Sequence, residues 1–142
     1  MMDLFQNDIK TIEASRFASE KNIGMKNFHY HNNYEIYYLV KGTRNYIIGE
    51  EYYSLIKGDM VLIKPGILHK ATGSAYDRML LNFTQEYLDR FFSTEASSVL
   101  LRCFDDTFIT IPFECRERVV QLFEKMMSLL KEKKEELAFA YL

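Results

Sequence analysis

What this chain lacks narrows the possibilities before any motif is considered. It has two cysteines, Cys103 and Cys115, a count and spacing that match no zinc ligand set, so both are expected as reduced, structural thiols. No run of 18 apolar residues occurs, which excludes a transmembrane helix. The opening "MMDLFQNDIK" carries acids and amides where a secretory leader needs an apolar core. Both features point to the cytoplasm and to no membrane partner. Basic excess is missing as well: 18 Lys and Arg stand against 20 Asp and Glu, a formal charge of -2. Nucleic-acid surfaces draw most of their affinity from neutralised phosphates, so this segment is not expected to grip DNA. The longest charge run, Lys131 to Glu136, mixes signs and reads as a solvated helix face. Neither Ser54 nor Ser74 sits in a nucleophile elbow.

What is present is aromatic. Tyr and Phe number 10 and 11 with no Trp, 15% of the 142 residues, a composition that suits pleated, half-buried strands. Short apolar runs punctuated by glycine fill the first two-thirds. "YEIYYLV" stops at Lys41-Gly42, "RNYIIG" at Gly49, "EYYSLI" before Gly58 and "MVLI" before Pro65-Gly66. "DRMLLNF", Asp77 to Phe83, and "TIEASRF", Thr11 to Phe17, add two more. The pattern predicts an antiparallel sandwich or barrel rather than alternating strands and helices.

Helical signals follow. Thr84 is a candidate N-cap for "QEYLDRFF" and Thr94 for "EASSVLLRCF", and "TFITI", Thr107 to Ile111, is the last strand candidate. From Glu114 the chain reads as a helix, with Val119, Leu122, Phe123, Met126 and Leu130 at i, i+3, i+4, i+7 and i+11. Val120, Met127 and Leu129 widen that stripe, as expected for a helix buried on more than one side, between its own barrel and a second copy in a symmetric dimer. The five stripe residues are therefore candidate dimerisation residues. The closing "EELAFAYL" ends apolar with no Gly or Asn cap. It reads as a helix cut partway through, with more protein expected to follow.

The stretch "HYHNNYE" concentrates the chemistry. On a strand, His29, His31 and Glu35 share a face, along with Asn33, Tyr37 and Leu39. Two imidazoles at that spacing sit about 7 Å apart at the backbone, and His69 in "KPGILH" offers a third nitrogen. These are the chain's three histidines. With Glu35 they make a candidate set for Zn, Fe, Mn or Ni. An organic ligand in a barrel lumen uses the same wall differently. Tyr37 and Tyr46 would stack on it and donate hydrogen bonds, Glu35 would accept from hydroxyls, and Arg44 or Arg78 would pair with an anionic effector.

From His29 the spacing runs H-x-H, three residues, Glu35, six residues, Gly42, and later Gly58, Pro65-Gly66 and His69. This resembles the two motifs of the cupin superfamily, although Pro65 falls one place late and Gly73 stands where the second motif ends on asparagine. A wider stretch, Phe28 to Phe92, resembles the N-terminal domain of AraC/XylS-family transcriptional regulators, through "YEIYYLVKG", "LIKGDMVLIKPGILHK" and "RMLLNFTQEYL". The resemblance implies a mainly β fold with C-terminal helices: a cupin-like (RmlC-like jelly-roll) antiparallel β-barrel over 1–112 and a helical dimerisation region over 113–142. It implies no enzyme and no cofactor. The domain would sense a small-molecule effector, for instance a sugar, as a homodimer, and reach promoter DNA only through a C-terminal helix-turn-helix domain absent from this chain. His29, His31, Glu35, Tyr37, Tyr46 and His69 are the candidate ligand-binding residues. The alternatives are a divalent metal on His29, His31, Glu35 and His69, and a stand-alone metal-dependent cupin enzyme of isomerase or dioxygenase type.

Overall fold

One long strand organises the molecule. The structure, a computed structural model, describes residues 5, 6, 9, 11–21, 24 and 27–142; most of the stretch weighed as a leader lies outside the described residues. Strand β4 (Tyr34–Ile48) pairs through Gly42 with β8 (Tyr76–Phe83) on one side and through Tyr38 with β6 (Asp59–Ile63) on the other. From Thr43 onward it pairs instead with β5 (Glu51–Ile56) and β7 (His69–Thr72). A register shift between Leu39 and Lys41 marks a bulge just before β4 passes from one layer to the other at Gly42–Thr43. Gly42 sits beside it at φ 91°, and a Cβ there would lie 2.1 Å from the Ala75 carbonyl oxygen. Only glycine fits. The break expected at Lys41-Gly42 is therefore a bend within one strand: the glycine turns the chain without ending its hydrogen bonding.

The first layer runs β2 (Ile12–Ser19), β8, β4, β6 and β9 (Phe108–Thr110). The second runs β1 (Phe5–Gln6), β3 (His29–Tyr30), β7, β4 and β5. All these pairings are antiparallel except β1 with β3. Among the described residues the hydrogen-bonded path does not close into a ring, so the barrel is two layers joined through β4.

Alternation divides the core. Tyr37, Leu39, Val61 and Ile63 point between the layers and meet Tyr46, Leu55 and Ala71. Tyr38, Met60, Leu62, Met79, Leu81 and Phe83 point the other way, into a second core roofed by helices. With one core on each face, β6 is buried at all five positions, which explains why "MVLI" reads as an unbroken apolar run.

Helix α1 (Gln85–Phe91) is capped as expected: Thr84 Oγ1 accepts from Tyr87 N at 3.0 Å. The cap of α2 (Thr94–Leu101) is Ser93 rather than Thr94, because Ser93 holds the extended backbone that lets its hydroxyl accept from Ala96 N at 3.1 Å. Helix α3 (Arg116–Lys131) follows a 3₁₀ turn at Phe113–Cys115 and stops inside the mixed-charge run. Lys133 takes φ 60° while Lys134 N donates to Leu129 O and Lys133 N to Leu130 O, at 2.8 and 3.0 Å. That is a Schellman closure with lysine in the usual glycine place. The expectation of one helix continuing through 131–136 is thus corrected. The chain turns back through α4 (Glu135–Ala138) and a 3₁₀ turn at Phe139–Tyr141. Phe139 stacks on Phe91 with centroids 4.9 Å apart, so the apolar tail packs against its own chain.

The α3 stripe lies on the helix-covered core. Phe123 and Met126 are buried, Val119 and Leu130 pack partly against the same cluster, and Leu122 is half-buried. Residues from 113 onward therefore share a core with the first layer. Cys103 and Cys115 are exposed free thiols. Among the described residues no helix is long and apolar enough to cross a membrane.

Candidate functional site

His29, His31 and Glu35 do not lie on one strand, as their spacing suggested. β3 ends at Tyr30, the chain crosses between layers at 31–33, and β4 begins at Tyr34. The side chains still meet because the crossing brings the layers together there. β3 pairs with β7 and sets His29 opposite His69, with ring centroids 4.1 Å apart. β4 pairs with β8 and sets Glu35 opposite Asn82. The Pro65-Gly66 turn is tied in by Gly66 N donating to the His31 carbonyl at 2.9 Å. It then delivers His69, whose Nδ1 bonds the Ile67 carbonyl at 2.8 Å.

Hydrogen bonding fixes the rings. His31 Nδ1 bonds the Asn33 carbonyl at 3.0 Å, and its Nε2 lies 3.3 Å from Glu35 Oε1. Both partners accept, so neutral His31 donates to one of them according to its tautomer, and only protonated His31 donates to both and pairs ionically with Glu35. His69, with Nδ1 committed to a carbonyl, turns its Nε2 lone pair toward Glu35 Oε2 at 3.8 Å. Burial raises the Glu35 carboxyl, but the His31 hydrogen bond and the surrounding histidines outweigh it, leaving the pKa below its ordinary value. His29 is lowered to about 4, by burial first and by His69 second, and burial lowers His69 too. At neutral pH the cluster holds an ionised carboxylate beside the neutral imidazoles His29 and His69.

That chemistry fits a divalent cation. One nitrogen from each of His29, His31 and His69 can be chosen so that all lie within 4.8 Å of one another. Both His69 Nε2 and Glu35 Oε2 are buried without a hydrogen-bond partner among the described residues. Nδ1–H bonds to backbone carbonyls, as at His69, are the outer support that metal-ligating imidazoles use.

A groove of about 800 Å³ opens beside the cluster. Its inner wall carries His29, His31, Asn33, Glu35, Leu80 and Asn82. It continues round the edge strand β2, past Glu13 and Ser15, to Met127, Leu130 and Lys131 of α3. Behind Glu35 lies a recess of about 180 Å³ that shares Glu35 and Leu80 with the groove and adds Tyr37, Arg44, Tyr46, Tyr76 and Arg78. The six candidate ligand residues thus divide. His29, His31 and Glu35 face the groove, while Tyr37 and Tyr46 line the recess with rings 5.0 Å apart and nearly perpendicular. His69 is wholly buried behind the other histidines.

Sequence reasoning missed Asn82, Leu80 and Tyr76. The signal for the first two was alternation in "DRMLLNF": Met79, Leu81 and Phe83 pack under the helices, which turns Arg78, Leu80 and Asn82 inward. Asn33 Nδ2 then donates to Asn82 Oδ1 at 2.7 Å, joining β8 to the crossing segment.

The family model described as AraC-like ligand binding domain matches residues 15–140. Among solved structures, a conserved protein of unknown function from Streptococcus pyogenes superposes with a TM-score of 0.50 at 17% identity, over 54% of this chain and 67% of that one. A cupin superfamily protein from Desulfitobacterium hafniense superposes with a TM-score of 0.50 at 10% identity, over 54% and 71%. At such identities the likeness is one of fold. No curated protein matches the sequence.

Proposed function

We propose that this chain, which belongs to the AraC-like ligand-binding domain family, senses a small molecule in the groove beside His29, His31 and Glu35, with Tyr37, Tyr46 and His69 completing the site. The carrying observation is the path of the groove round β2. Residues from both sides of that strand line it, Glu13 and Ser15 on one and Ile12 and Ala14 on the other, and the latter two also pack into the core shared with α3. A ligand filling the groove touches the barrel wall and the last turn of α3 together. Its differential affinity for two placements of α3 is then the free energy available to shift them.

In this reading 1–112 is the sensing unit and 113–142 the helical element through which two copies associate. Of the stripe, Val119, Leu122 and Leu130 are the residues offered to the second copy, while buried Phe123 and Met126 hold the helix to its own barrel. A separate C-terminal domain contacts promoter DNA in the cytoplasm, and the dimer sets the spacing of two such domains. If a divalent cation is bound, His29, His31, His69 and Glu35 hold it, and it supplies a Lewis-acidic centre for a ligand oxygen.

That donor set also supports a second reading, a metal-dependent cupin enzyme. The test for both is a thermal-shift screen of sugars and small acids on protein with its metal content measured. The sensing reading expects a compound that raises the melting temperature, loses its effect in His31→Ala and Glu35→Ala, and is recovered unchanged. Turnover of the bound compound would favour the enzyme.

A further inference from the structure

We propose that the outer edge of β5 is an interaction surface for a second copy of this chain, the two β5 strands pairing antiparallel about a two-fold axis at Ser54. The contact is separate from the α3 stripe, and it rests neither on that stripe nor on what the groove binds.

β5 is an edge strand: among the described residues it pairs only with β4. The hairpin joining them has a two-residue turn, Gly49-Glu50, between the opposed residues Ile48 and Glu51. Such a turn closes on a hydrogen-bonded pair, so Glu51, Tyr53 and Leu55 commit their backbone groups to β4. Tyr52, Ser54 and Ile56 point theirs away from it. Ile56 agrees with that alternation, since its N–H donates to Asp59 Oδ2 at 2.9 Å and not to β4. A row of outward backbone donors and acceptors on an exposed edge is a template for another strand.

The strand's own sequence names the occupant. Only alternate residues point outward, so an edge pairs with itself only in registers that set outward residues opposite outward ones. Centring on Ser54 is such a register. It sets exposed Glu51 opposite the partner's exposed Lys57, and Tyr52 opposite the partner's Ile56, each twice by symmetry. Tyr53 and Leu55 face the core between the layers, which turns Tyr52 and Ile56 to the outer face, where they are 62% and 63% exposed. An aromatic residue against a β-branched one is a favoured cross-strand pair, as is a pair of opposite charges. The backbone matches as well. The two Ser54 residues exchange both bonds, and each Tyr52 N–H donates to the partner's Ile56 carbonyl, which leaves Ile56 N–H with Asp59. Slipping to the next register either way sets Glu51 against the partner's Leu55 or the partner's Asp59, so charge and apolar pairing select one alignment. Two short strands bury less than a standard interface, so the contact is weak and fills as concentration rises. Where the α3 stripe also holds a copy, two isologous contacts on different residues extend assembly beyond a dimer.

The test is sedimentation of the 142-residue chain carrying Leu122→Asp, which keeps α3 association from masking the contact. Lys57→Glu is expected to weaken self-association about fivefold or more, since it turns two opposite-charge pairs into like-charge ones. Adding Glu51→Lys is expected to restore it, because the exchanged charges oppose again. Cross-linking reads the register without the Leu122 variant, in a Cys103→Ser, Cys115→Ser background. Hydrogen-bonded partners across an antiparallel pair lie about 5.5 Å apart at Cα, within disulfide reach. Ser54→Cys is therefore expected to form an intermolecular disulfide under mild oxidant, and the exposed control Glu95→Cys is not. A double variant as weak as Lys57→Glu alone, or a Ser54→Cys chain that cross-links no faster than Glu95→Cys, overturns the proposal. So does a monomer at every concentration, which would leave the edge to a different chain.

Discussion

His69 Nε2 and Glu35 Oε2 face each other across 3.8 Å, and neither atom has a hydrogen-bond partner among the described residues. Buried polar atoms are nearly always paired. Two unpaired atoms aimed at one point, beside an intact His31–Glu35 contact, mark the chemical focus of the molecule. A cation, or a ligand group with two hydrogen-bond donors, placed there would satisfy both.

The Glu35 carboxylate is structural as well as chemical. Glu35→Ala leaves a buried donor on His31 without its acceptor, which costs about 1–3 kcal/mol. Urea denaturation of the variant should show that loss. A midpoint within error of the parent would mean that His31 and Glu35 are not coupled.

Acid should destabilise the protein earlier than carboxylate titration alone would. His29 takes its proton near 6.5 when unfolded but near 4 when folded, so between those values the unfolded chain binds more protons. Stability therefore rises with pH across that window and is lost as pH falls from about 6.5 to about 4. His69, also lowered, acts in the same sense. Glu35, lowered as well, adds stability that is present above its unfolded value and lost as pH falls through the folded one. Melting temperatures in EDTA from pH 7.5 to 4.5 should decline from about 6.5 downward, and His29→Gln should flatten the slope. An unchanged slope would contradict the assignment.

Two neighbours on α3 should separate folding from association. Phe123 is 4% exposed in the helix-covered core, so Phe123→Ala should lose about 3–5 kcal/mol of stability. Leu122 is half-buried, and Leu122→Asp should keep the fold while weakening self-association in sedimentation experiments. An unaltered sedimentation profile in Leu122→Asp would remove α3 from the proposed dimer contact.

Strands and glycines in this chain were legible because period-two alternation survives in "YEIYYLV" and "DRMLLNF". The site was legible by spacing for a reason the spacing does not state: the histidines meet across two layers rather than along one strand. Gly42 looked like a stop because glycine marks turns more often than bends inside strands. The end of α3 was hidden because Lys133, a residue that ordinarily avoids positive φ, closes it. The recess was only half visible, since nothing near Arg44 or Tyr76 in the sequence announces that they stack.

Lys133 gives its own test. An L-residue in the left-handed region costs about 1–2 kcal/mol that glycine avoids, partly offset by glycine's greater unfolded freedom. Lys133→Gly should therefore stabilise the protein by about 0.5–1 kcal/mol. Destabilisation would mean that the helix does not end there.

The most direct test of the sensing account is hydrogen–deuterium exchange with and without a compound that raises the melting temperature. Linkage through β2 predicts slowed exchange in β2 and in the Met127–Lys131 turn of α3, abolished by His31→Ala. Protection confined to β3 and β7, with α3 unchanged, would show that the groove binds without signalling and would contradict the account.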